Sequence, residues 1–129
     1  MDANAEKLLF ALYAEQNAKK PRLGAAAQSI GLAGETLGRA ANLLYTGGLV
    51  GGVAVKFGEE DETPFSLFVD DIILTRRGVA HVDAALGLKA SASSIQKLRA
   101  VLGKASVPGW EKVKAIAEIA LKDHMETGQ

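Results

Sequence analysis

The sequence predicts an α+β fold. Three observations point to it: helical periodicity runs along both ends of the chain, one central stretch alternates with period two, and glycines mark the changeover between them. The chain has 129 residues, of which 48% are hydrophobic, enough for one domain with a true core and too few for two comfortable ones.

The elements follow in order. Ala5, Leu8, Leu9, Leu12 and Tyr13 fall at i, i+3, i+4, i+7 and i+8, one face of an amphipathic helix. Residues 17–21 end it, because the residue before Pro21 avoids helical angles. "LGAAAQSIGL" reads as a short alanine-rich helix stopping at Gly31. A third helix covers Gly34 to Thr46, with Leu37, Ala40, Ala41 and Leu44 as its buried stripe. Gly47 or Gly48 supplies the left-handed residue that closes it, and Leu49 packs back on its last turn. Three short helices with a tight turn between the second and third match a helix-turn-helix.

Beyond Leu49 the period becomes two. Val53, Val55 and Phe57 alternate with small or polar residues, "GEEDETP" interrupts, and Phe65, Leu67 and Val69 alternate again. This predicts a β-hairpin with a long loop. The alternation slips at Asp70 and Asp71, where a bulge is expected. Thr75 is placed to cap a helix over "RRGVAHVDAALG". After the linker "KASASS", Ser93 and Gln96 have capping-box spacing at the head of "IQKLRAVLG". Pro108 sits where helix starts tolerate proline. A last helix follows, with Val113, Ile116, Ala117, Ala120 and Leu121 on one stripe. Trp110 anchors it, against either the core or a second subunit.

Composition narrows the function classes. Fifteen basic and fifteen acidic side chains cancel, so any nucleic-acid contact has to come from a local patch rather than from net charge. Without cysteine there are no disulfides, thiolate metal sites or cysteine nucleophiles. The N-terminus does not read as a signal peptide, and no apolar run approaches the ~18 residues that span a membrane. The expectation is a soluble cytoplasmic protein with no membrane partner.

Several motifs resolve into structural roles. Gly47, Gly48, Gly51 and Gly52 run from helix to strand, the reverse of a phosphate-binding loop, and no Gly-Lys-Ser/Thr follows. They read as helix stop and strand entry. Glu59, Glu60, Asp61 and Glu62 lack the alternating ligands and central glycine of a calcium loop, and read as a solvated hairpin tip. His81 and His124 have no partner at metal spacing, and no serine or threonine sits in a nucleophile setting. Neither an enzyme nor a cofactor or metal site is expected. Lys97, Arg99, Lys104, Lys112 and Lys114 read as ordinary polar faces of the last helices.

"TLGRAANLLYTGGLV" resembles the third helix and first strand entry of winged helix-turn-helix domains, and "IILTRRGVAHV" resembles the exit from their second wing strand. Helix, helix, helix, hairpin, helix is the order of that class. The resemblance covers residues 5 to 88 and is to small bacterial and phage winged-helix proteins, including PadR-like and MarR-like regulators and YjcQ-like proteins. It implies a winged helix-turn-helix domain over residues 1–88 and C-terminal helices over 89–129 for packing or dimerisation.

The resemblance implies a transcriptional regulator that binds double-stranded DNA as a homodimer, with the third helix as reader. Its outward positions are then Glu35, Thr36, Gly38, Arg39 and Asn42. Arg39 matches the guanine edge and Asn42 the adenine edge, while Lys19, Lys20, Arg22, Arg76 and Arg77 flank the helix as phosphate contacts. The acidic hairpin tip argues the other way, because carboxylates are repelled by phosphate. The alternative is a winged-helix module that contacts another protein and no DNA.

Overall fold

The computed structural model describes residues 1–57, 64–68 and 71–126. Its elements are α1 (Ala3–Gln16), α2 (Leu23–Ser29), α3 (Gly34–Thr46), β1 (Val50–Gly51), β2 (Ala54–Phe57), β3 (Pro64–Phe68), β4 (Ile73–Leu74), α4 (Arg76–Leu86), α5 (Ser94–Lys104) and α6 (Glu111–Glu126). The α+β class holds: the described residues form six helices and one antiparallel hairpin.

The first helix differs most from its expected form. Asp2 caps α1, its carboxylate accepting from the Asn4 and Ala5 backbone N–H groups at 3.1 Å. Instead of one buried stripe, α1 buries Ala5 and every residue from 8 to 14, including Phe10, Ala11 and Ala14. The cause lies in its surroundings, since α1 packs against all five other helices. "LLFALYA" is apolar all round, and a helix apolar all round belongs inside.

Four side-chain contacts set the direction of the C-terminal helices. The Trp110 ring, at the head of α6, meets Phe10 edge-on with centroids 5.5 Å apart. At the far end, His124 Nε2 lies 2.6 Å from the Asn17 carbonyl oxygen just past α1. The last helix therefore runs alongside α1 in the same sense, and Trp110 anchors it on this chain's own core. Lys104 Nζ lies 3.5 Å from Glu6, whereas Lys97 reaches Tyr13, so α5 runs antiparallel to α1. The junction at 88/89 falls in the turn after α4, yet residues on both sides of it share one hydrophobic core.

The hairpin is built in two pieces. Val50 pairs with Leu74 and Gly51 with Ile73 at the base; Ala54 pairs with Phe68 further out. Between Gly51 and Ala54 the first arm has two residues, while the second has four, 69–72, between Phe68 and Ile73. The slip in alternation expected at Asp70 and Asp71 falls in this span, of which residues 69 and 70 lie outside the described residues. The acidic run Glu59, Glu60, Asp61 and Glu62 also lies outside the described residues.

A buried polar cluster joins three helices at the centre. Tyr13 on α1 donates its hydroxyl proton to Asp83 Oδ1 on α4 at 2.5 Å, a length typical of an O–H donor facing a carboxylate. Lys97 Nζ on α5 lies 3.5 Å from the same oxygen and 5.7 Å from the Tyr13 ring centroid. Asp83 and Lys97 are 5% and 9% exposed, which removes the option of solvation by water. Lys97 is therefore not part of an ordinary polar face. Both charges are legible in hindsight: Asp83 falls four residues after Val79 on the α4 stripe, and Lys97 adjoins Leu98 and precedes Val101 by four on that of α5.

Burial, then the hydrogen bond to Asp83 and its charge, push the Tyr13 phenol well above its ordinary value near 10. A raised folded-state value means that the stability tied to the phenol is complete below pH 10. Above it the unfolded chain ionises while the folded one holds its proton, so stability falls as pH rises. Urea unfolding should show this decline above about pH 10, and Tyr13→Phe should flatten it. Asp83→Ala, which leaves a buried ammonium and a buried hydroxyl unpaired, should lower stability by about 3–5 kcal/mol. Tyr13→Phe should cost about 1–3 kcal/mol at pH 7.

Candidate nucleic-acid interface

The third helix is held in place at its C-terminal end. Gly48 takes the left-handed conformation (φ +74°), the Leu49 N–H donates to the Leu44 carbonyl at 2.9 Å, and the Gly48 N–H donates to that of Tyr45. This is the glycine-closed helix end that the sequence predicts, with Leu49 turned back into the core. Thr75 then ties α4 to it. Its hydroxyl donates to the Gly48 carbonyl at 2.7 Å and accepts from the Gly78 N–H at 3.0 Å, while its own N–H donates to the Leu49 carbonyl. Gly78 permits the approach: a Cβ there would stand 2.2 Å from the Leu49 carbonyl oxygen.

Glu35, Arg39, Asn42, Leu43 and Thr46 share the exposed face of α3 at helical spacing. Two expected outward positions differ. Thr36 is half-buried, and Gly38 has little exposed surface of its own, although a Cβ there would point into open space with no atom within 4 Å. Arg39 is not free either: its Nη2 donates to Glu35 Oε1 at 2.7 Å, four residues back along the helix. Leu43 and Tyr45 are each 51% exposed, so this surface is partly apolar.

The candidate phosphate contacts divide into two groups. Arg76 and Arg77 are exposed in the first turn of α4, and the Arg77 side chain lies over Gly48 at the end of α3. A helix N-terminus carries partial positive charge, so two arginines there oppose the helix dipole. Lys19, Lys20 and Arg22 occupy the α1–α2 loop instead, where they border a groove shared with Glu15, Ala18, Ala25 and, from α6, Ile119, Ala120 and Asp123. Burial raises the Glu15 carboxyl above its usual range, against the opposing pull of Arg22. Its Oε2 accepts from the Arg22 backbone N–H at 3.4 Å. Arg22 also lines a more open groove beside β4, across from Asp71.

No family model, curated protein or solved structure matches this chain. Among the described residues no helix is long and apolar enough to cross a membrane.

Gly78→Ala tests the anchoring of α3. The added carbon meets backbone rather than a flexible side chain, so the clash outweighs the better helix propensity of alanine. Chemical denaturation should show a loss of about 1–3 kcal/mol. Amide shifts should move at residues 47–49 as α4 is displaced from them.

Proposed function

We propose that this protein is a DNA-binding regulator of the winged helix-turn-helix kind, acting as a homodimer through binding rather than catalysis. The observation that carries the reading is the exposed stripe of α3, which sets Arg39, Asn42 and Thr46 on one uncovered helical face, with Arg77 at the end of that helix. A helix two turns long, α2, precedes it across a tight turn, and the hairpin follows directly. The two arginines placed against the α4 dipole add support, because a phosphate beside them offsets that local penalty. In this reading α3 enters the major groove, Arg39 and Asn42 face base edges, and Arg76 and Arg77 hold phosphates.

Dimerisation supplies the affinity that one weakly charged module lacks. Ile119 and Met125 on α6 are 64% and 59% exposed and, with Leu102 and Leu121, line an apolar groove of about 520 Å³ between Glu118 and Lys122. This is the face through which we expect two copies to pair.

One observation favours a protein partner instead. The Glu35–Arg39 pair neutralises the centre of α3 beside half-exposed Leu43 and Tyr45, a surface suited to a partly apolar protein contact.

The two readings separate in a binding-site selection followed by anisotropy measurements on the selected duplex. DNA affinity should fall with salt, with a log–log slope of roughly −3 to −5. Arg39→Ala should weaken binding about tenfold or more. Glu35→Gln should strengthen it a few-fold by freeing Arg39 and removing a repelling carboxylate, while stability changes by under about 0.5 kcal/mol. A chain that is dimeric by sedimentation and binds no duplex at low salt would exclude the DNA reading.

A further inference from the structure

We propose that the groove between the α1–α2 loop and the C-terminal half of α6 binds a small organic anion, a carboxylate or phosphate head on a compact apolar body. The groove has a volume of about 510 Å³, within the range of small-molecule sites. Its lining separates into two chemical parts. Ala18, Ala25 and Ala120 have side chains too short to fill the space between the two elements, and Ile119, 64% exposed, adds a large apolar wall. Lys19, Lys20 and Arg22 add three cations from one short loop.

Glu15 and Asp123 line the same groove, so its formal charge is one positive in excess. Asp123 is already engaged within the protein, and one Glu15 carboxylate oxygen accepts from the Arg22 backbone N–H at 3.4 Å. The side chains of Lys19 and Lys20 are exposed. Two neighbouring grooves lack this imbalance: the one beside β4 sets Arg22 against Asp71, and the outer one on α6 sets Lys122 against Glu118. An anionic head satisfies the loop cations, and an apolar body covers the alanines and Ile119. An inorganic anion would leave that apolar wall in water. A guanidinium presents paired donors to either a carboxylate or a phosphate, so both heads suit Arg22.

The test uses the full chain without DNA; because Ile119 borders both this groove and the face proposed for pairing, sedimentation of each titrated sample separates ligand binding from a change in dimerisation. Amide shifts are followed by NMR during titration with benzoate, phenyl phosphate and inorganic phosphate. Saturable shifts are expected at residues 18–22 and 119–123 with at least one organic probe, at a Kd of about 1 mM or tighter. Inorganic phosphate should bind at least tenfold more weakly than that probe. Ala25→Phe, which fills the groove from an exposed position of α2, and the double variant Lys19→Gln/Lys20→Gln should each raise Kd at least tenfold. Lys89→Gln, an exposed position that lines neither this groove nor the outer one on α6, should leave it unchanged. Thermal melts establish that each variant folds; if Ala25→Phe does not, the double lysine variant decides. No saturable shift with either organic probe, equal affinity for inorganic phosphate, or undiminished affinity in the folded groove variants would overturn the proposal.

Discussion

Burial of the middle of α1 on every side is the constraint on which the rest of the molecule depends. A helix that exposes almost none of its middle two turns needs neighbours on every side, and each other helix meets part of that demand. α2 and α3 cover it from the N-terminal half of the chain, α5 and α6 from the C-terminal half. Removing either pair would return Phe10, Leu12 or their neighbours to water, at roughly 1.5–3 kcal/mol for each large side chain. The two halves of the sequence are thus bound through one shared helix.

The same burial explains the polar cluster. With α1 enclosed, the Tyr13 hydroxyl has no access to water and needs a partner within the protein, which Asp83 supplies. Asp83 then needs a counter-charge, which Lys97 supplies. Apolar packing tolerates small slides of one helix past another, whereas a hydroxyl, a carboxylate and an ammonium meeting at one oxygen do not. The cluster contributes register among α1, α4 and α5 more than net stability, since desolvation offsets much of the attraction between buried charges. Fixing α4 also fixes Thr75 and Gly78, and through them the end of α3. The exposed face of α3 is therefore held by a chain of contacts that begins in the core.

Much of this was legible from local pattern. Helix α3 spans the residues that its spacing and glycine stop predict, and Thr75 and the Ser93–Gln96 box cap the helices they precede. Such features depend on interactions within a few residues. The candidate interface was less legible. Helical spacing identifies Arg39 and Asn42 as outward, yet Thr36 is half-buried, because the packing of neighbouring elements decides the positions at the edge of a helix face. The Glu35–Arg39 pair could be read from its four-residue spacing. The division of the loop cations from Arg76 and Arg77 could not, since it follows from where α6 lies.

By itself the sequence determined the kind and order of the elements, their caps, and the helix-to-strand corner at Gly47 and Gly48, because backbone preference and hydrogen bonding there act between near neighbours. Only the tertiary structure decided that α1 is enclosed rather than amphipathic, that Lys97 is a buried partner rather than a surface charge, and that Lys19, Lys20 and Arg22 border a groove with α6. In each case the deciding contact joins residues far apart in the chain. Tyr13 and Asp83 are 70 positions apart, and His124 meets Asn17 across 107. Periodicity shows that a face is buried, but only packing shows what lies against it.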